Sequence, residues 1–113
     1  MNKLEEVLNK HGIGKIRCGA SCGDGWVPLI DNLIIDLITL GWDKQIEQIK
    51  EKFGGLRFYI GGATKEMHDL VDKAEHTSFT ICEECGKPGK QSDWGSYWIK
   101  TLCPEHGKEY GEH

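Results

Sequence analysis

A chain of 113 residues suits one domain, and 38% apolar residues can build a modest core but not a large one. No apolar run reaches the roughly 18 residues that a membrane span needs, and the opening MNKLEEVLNKHG carries two glutamates and no apolar signal core. The net charge of −4 is unevenly spread. Residues 1–63 hold eight Lys/Arg against eight Asp/Glu, and residues 64–113 hold six against ten, which disfavours a generally basic nucleic-acid binder and leaves room for a local basic patch.

Asn2 followed by Glu5 reads as a capping box, with Leu4, Val7 and Leu8 as the apolar stripe and Gly12 as the stop, so a helix is predicted over 3–11. The glycine-rich GIGKIRCGASCGDGW that follows reads as irregular. Pro28 is well placed to begin a second helix. Leu29, Ile30, Leu33, Ile34, Ile35, Leu37, Ile38 and Leu40 leave it only a narrow polar strip, which predicts a buried element at the centre of the fold, ended by Gly41.

Residues 45–60 are a hairpin candidate. With Gly54-Gly55 as a two-residue turn, Phe53 faces Leu56, Glu51 faces Phe58 and Ile49 faces Ile60 on one mostly apolar face. The other face then sets Lys52 opposite Arg57 and Lys50 opposite Tyr59. Ile46 and Ile49 lie three apart, so a helical start to this segment is a rival. A one-residue slip would put the cations on the other face. Gly61-Gly62 breaks the strand, and Thr64 can cap a third helix with Met67, Leu70, Val71, Ala74 and Phe79 inward.

The strongest signal is CEEC at 82–85 with CPEH at 103–106. Cys82, Cys85, Cys103 and His106 form two pairs of soft or borderline ligands, each pair two residues apart, which suits tetrahedral zinc. Five cysteines in a chain expected to be cytosolic likewise point to metal or free thiols rather than disulfides. Between the pairs lie a turn, GKPG, and WGSYWIKTL, a strand returning to the second knuckle. That order resembles a zinc ribbon or a treble clef with a terminal helix beginning near Pro104. A closed Cys3His shell leaves no position for water, so one structural Zn2+ per chain is expected and catalysis at it is not. Cys18 and Cys22 are three residues apart in the gap; a second zinc would need two of His11, His68, His76 or His113, and no second spaced pair supplies them. They read as small thiols.

The fold class expected is therefore α+β: a small domain with a buried central helix, a β-hairpin and a C-terminal zinc-ribbon or treble-clef-like knuckle. Residues 1–80 form the core domain, with 81–113 packed on it.

Two segments are candidates for binding. GDGWVP enters the central helix, and backbone N–H groups there could hold an anion, although Asp24 could equally act as a local cap and Trp26 as a core residue. No nucleotide-binding signature is complete. On the hairpin's outer face, like charges opposite one another cost a few tenths to about 1 kcal/mol unless an acid lies between them. Glu47 or the acidic helix 66–75 could supply it; the alternative is an external phosphate or acidic protein surface. The candidate binding residues are thus Lys50, Lys52, Arg57 and Tyr59, with Asp24 and Trp26. His68 beside Asp69 has no nucleophile placed with it, and Asp31 and Asp36 read as a solvated strip, so no enzyme is expected.

CGDGW, KEKFGGLRFY, the CxxCG knuckle and TLCPEH, taken in this order, resemble a family of small uncharacterised proteins encoded by bacteriophages and bacterial mobile elements. The resemblance covers roughly residues 22–106. It maps the family's motifs onto Cys22 to Trp26, Lys50 to Tyr59, and Cys82, Cys85, Cys103 and His106, while Cys18 departs from the pattern. It implies a small protein in the bacterial host cytosol that acts on a host or phage macromolecule, inhibitors of bacterial defence systems being one such class. The expected function is accordingly a zinc-stabilised interaction protein binding through the hairpin face, with Trp94 and Trp98 either further anchors or, equally, packed around the zinc. The alternative is phosphate, nucleotide or nucleic-acid recognition through the local basic face.

Overall fold

The structure, a computed structural model, describes residues 2–111. Its elements run α1 (Lys3–Lys10), a 3-10 turn (Asp24–Trp26), α2 (Val27–Thr39), β1 (Ile46–Lys52), β2 (Gly55–Ile60), α3 (Lys65–Ser78), β3 (Lys90–Ser92), β4 (Lys100–Leu102) and α4 (Pro104–Gly111). The two strand pairs are separate antiparallel ladders, β1 with β2 and β3 with β4. The architecture is α+β.

Local chemistry sets the helix ends. Asn2 caps α1 by accepting from the Glu5 N–H at 2.8 Å, and Thr64 caps α3 by accepting from Met67 N–H. Gly12 and Gly41 follow α1 and α2 at positive φ, as C-terminal stops require. The central helix is buried on one face only. Ile30, Leu33, Ile34 and Leu37 pack inward, but Ile35 and Leu40 are 45% and 41% exposed, contrary to the expectation of an element buried all round. The helices α1 and α3 cover it, and the side carrying Ile35 faces water.

The hairpin forms with a different register. Lys52 pairs with Gly55, Glu51 with Leu56, Lys50 with Arg57, Ile49 with Phe58 and Gln48 with Tyr59. The turn is therefore Phe53-Gly54, with φ of +53° and +83°, the positive values that a type I′ turn demands at both central residues. Gly55 is needed elsewhere: a Cβ there would overlap the Phe79 ring. Each partner shifts by two positions, so the faces survive while Phe53 leaves the core for the turn, where it is 61% exposed. A bulge between Ile46 and Gln48 brings Ile46 to the same side as Ile49, which accounts for their helix-like spacing.

Both edges of this ladder are covered. On the β1 side, Ile49 N–H donates to Gly19 C=O and Ile49 C=O accepts from Ser21 N–H, so the glycine segment lies alongside as a one-residue parallel bridge at Ala20. On the β2 side, α3 side chains take the place of a strand: Leu56 N–H donates to Ser78 Oγ at 2.9 Å, and Phe58 N–H to Glu75 Oε2 at 2.9 Å. Ser78→Ala would leave a buried N–H without a partner and is expected to destabilise the fold by about 1–3 kcal/mol in urea titrations. A change within error would show that water reaches Leu56.

Candidate metal centre

The tail is organised around its ligands. Cys82 and Cys85 sit on a turn closed by Gly86 N–H donating to Cys82 C=O, with Gly86 at φ +82°. The chain then passes through β3, turns back through β4, and starts α4 one residue after Cys103, so that His106 occupies the helix's first turn. Knuckle, hairpin and helix in this order form a treble-clef-like arrangement.

The four donor atoms of Cys82, Cys85, Cys103 and His106 all lie within 4.8 Å of one another. Cys85 Sγ and Cys103 Sγ are 3.8 Å apart, and His106 Nδ1 stands 3.7 Å from Cys82 Sγ and 3.2 Å from Cys103 Sγ. Sulfur and nitrogen donors about 2.0–2.3 Å from one ion at tetrahedral angles would stand roughly 3.5–3.8 Å apart, so these residues fit a tetrahedral metal. The His106 backbone N–H, 3.4 Å from the Cys103 sulfur, is the main influence bringing that thiol down to about 7, toward the thiolate form a metal binds. Contact with the Cys103 sulfur in turn raises the His106 imidazole. Cys82 and Cys103 are buried beside Leu102, with Trp94 and Tyr110 packed against them.

The glycine loop before α2 turns out to be the platform on which this centre rests. Gly23 N–H donates to Glu83 Oε2 at 2.9 Å, Gly25 N–H to Glu83 C=O at 2.7 Å, and Trp26 Nε1–H to Ile81 C=O at 2.9 Å. An anion is held there, as glycine N–H groups favour, but it is the protein's own Glu83. Burial raises the Glu83 carboxyl above its ordinary value, opposed by the Gly23 N–H and by Lys100, whose Nζ is 3.9 Å away. A Cβ on Gly25 would overlap the Cys82 carbonyl oxygen and would approach Gly86 N to 2.5 Å, both backbone atoms that cannot step aside. Gly25→Ala is therefore expected to lift the knuckle off the core at about 1–3 kcal/mol or more. A Gly25→Ala protein with unchanged stability and unchanged amide protection at Cys82–Gly86 would refute that contact.

The remaining predicted residues divide. Trp26 is fully buried and cannot stack on a ligand; its candidacy as a binding residue is corrected to core. Asp24 is exposed and supplies no side-chain cap to its turn. Arg57 lies across from Lys50 rather than Lys52, and its guanidinium is 3.7 Å from Glu75 on α3, so the acidic helix supplies the counter-charge for this one cation. Burial is the first influence on Glu75 and raises its carboxyl. Lys50 and Lys52 make no ion pair among the described residues, and Tyr59 is 41% exposed. Trp94 packs over Gly107 of α4, and Trp98 is 73% exposed.

No second metal cluster occurs among the described residues. His11 pairs with Asp31 at 2.6 Å, His76 Nδ1 lies 2.8 Å from Asp72 O, and His113 lies outside the described residues. Cys18 is exposed, while burial, then Glu83 and Asp24, push the Cys22 thiol up to about 12. No described helix is long and apolar enough to cross a membrane.

The sequence reading missed a cleft of about 540 Å³ where the hairpin tip meets the tail. Gln91 Nε2 donates to Phe53 C=O at 2.7 Å and Thr101 Oγ1 to Gly54 C=O at 2.6 Å, fastening the turn to β3 and β4. Phe53, Trp98, Ile99 and Tyr110 line the cleft with Lys52 and Lys100. Only the exposed tryptophan of WGSYWIKTL could have signalled it. Comparison with family models, curated proteins and solved structures found no match for the chain.

Proposed function

We propose that the chain is a zinc-stabilised interaction module that binds a host or phage macromolecule, a partner protein in the first instance. The ion is structural, because three sulfurs and one imidazole complete a tetrahedral shell and leave no site for water. Zinc is the metal that best suits this donor set. The observation that carries the interaction reading is the apolar group at the far end of the hairpin. Phe53, Trp98 and Ile99, 61%, 73% and 39% exposed, line one cleft together with Tyr110. Aromatic side chains of this kind supply most hot spots of protein interfaces. The motif resemblance supports a partner inside a bacterial cell, and inhibition of a defence system is one role such a module could serve.

Metal analysis of the purified protein is expected to return one zinc per chain; well under one would overturn the cofactor assignment. Affinity capture from a bacterial lysate is expected to retain a protein that is lost when Trp98 is replaced by alanine. Equal recovery on both baits, or none at low salt, would overturn the interaction reading. A second reading, recognition of phosphate or nucleic acid, is favoured by the ammonium groups of Lys50 and Lys52, which make no ion pair among the described residues. It predicts binding of a short oligothymidylate that weakens with salt and disappears in the Lys50→Ala/Lys52→Ala protein.

A further inference from the structure

The turn of the hairpin is built against its own stability. Type I′ turns favour Asn-Gly or Gly-Gly, because both central residues take positive φ, and a bulky side chain there is an outlier. This turn has Phe53 at φ +53°, and the ring gains little in return, being 61% exposed. Strain of this kind persists where the surroundings impose it, and here the imposing contacts are visible. Gln91 and Thr101 hold the turn's two carbonyls, and a Cβ on Gly54 would meet the Lys100–Thr101 backbone at 3.1 Å. The metal-held tail thus fixes an aromatic ring in the open, at the mouth of a cleft whose other walls are Trp98, Ile99 and Tyr110.

Two cations, Lys52 and Lys100, and one acid, Glu51, line that cleft. Glu51 accepts from the Gly54 N–H at 2.7 Å and so is held against the turn. Lys52 is exposed and holds its ammonium 5.7 Å from the Phe53 ring centre, and neither it nor Lys50 on the same face makes an ion pair among the described residues. Lys100, 30% exposed, forms the opposite wall with its Nζ 3.9 Å from Glu83 Oε1, so Lys52 is the cleft cation that makes no ion pair among the described residues. An aliphatic wall residue, Ile99, suits a side chain better than a stacked base.

We propose that this cleft is the docking site for a partner protein segment carrying a bulky apolar anchor flanked by carboxylates. The anchor seats between Phe53, Trp98 and Ile99, and the carboxylates meet Lys52 and its neighbour on the same strand face, Lys50. This rests on the reading of the chain as an interaction module and names the chemistry of its partner.

The test uses the full-length, zinc-loaded protein as bait for a displayed random peptide library. Enriched peptides are expected to combine Trp, Phe or Leu with neighbouring Asp or Glu, and to bind Trp98→Ala at least about tenfold more weakly, the scale of a lost hot spot. Phe53→Asn separates function from folding, because Asn suits the left-handed turn: its thermal midpoint should hold or rise while peptide binding falls. Lys52→Glu should shift the enriched peptides from acidic to basic flanks. Peptides enriched without acids, or unaffected by these substitutions, overturn the proposal and leave the interaction reading intact. An oligothymidylate that binds in a Trp98-dependent way where peptides do not overturns it in favour of the second reading, and a Trp98-dependent self-association in sedimentation overturns it in favour of a second copy of the chain as occupant. If neither peptide nor oligonucleotide is retained above the Trp98→Ala bait and the chain stays monomeric, the proposal and the interaction reading fall together.

Discussion

Stripping the metal with a chelator is expected to release residues 81–111 from the core as a unit. The tail has Leu102 as its one fully buried aliphatic side chain, about 1.5–3 kcal/mol of burial, beside Cys82 and Cys103. Ordering its backbone opposes that by about 1–2 kcal/mol for each residue. Metal binding, with apparent values of about 10–16 kcal/mol in zinc-finger peptides, is the term large enough to reverse the balance. The core has its own cluster, including Trp26, Ile34, Leu37, Phe58 and Val71, and does not contain the ligands. Amide exchange should therefore accelerate by orders of magnitude at Leu102, Cys103 and Gly107, while Leu37, Phe58 and Val71 stay protected. Cys103→Ser should reproduce the pattern. Continued protection of the tail in metal-free protein would show that packing alone holds it.

Trp26→Ala should be the most damaging single change outside the ligands. The side chain is completely buried, and truncations of this size cost about 3–5 kcal/mol. A domain has only about 5–15 kcal/mol in total, so the variant should be partly unfolded at room temperature. Its indole N–H also leaves, and the Ile81 carbonyl that anchors the tail loses its donor. Trp26→Phe keeps most of the volume and isolates that hydrogen bond, for which about 1–3 kcal/mol is expected. Urea titrations of both variants separate the two contributions. A Trp26→Ala loss under about 1 kcal/mol would contradict the packing described here.

What could be read in advance followed from local chemistry. Caps at Asn2 and Thr64, the stops at Gly12 and Gly41, and the paired ligands all act over a few residues, and each appears where its spacing places it. What could not be read depended on distant partners. The faces of the hairpin survived because alternation is a property of each strand alone, whereas the turn moved because Gly55 is claimed by Phe79 and Gly54 by β4. Glu83, 60 residues from Gly23, looked like a spacer inside CEEC and is instead the anion of the GDGW loop. The cleft is assembled from two segments more than 40 residues apart, and neither is distinctive alone.

The covered hairpin edges carry a consequence for recognition. With Ile49 bonded to the glycine segment, and Leu56 and Phe58 bonded to α3, no free ladder of N–H and C=O groups is offered at the middle of either edge. A bound peptide cannot be read there as an added strand, through main-chain bonds that accept almost any sequence. Discrimination must come from side-chain shape and charge, so a partner could approach in either chain direction and be a helix, a loop or an extended tail. Proteins alike in fold but differing at Phe53 and Trp98 would then differ in what they bind.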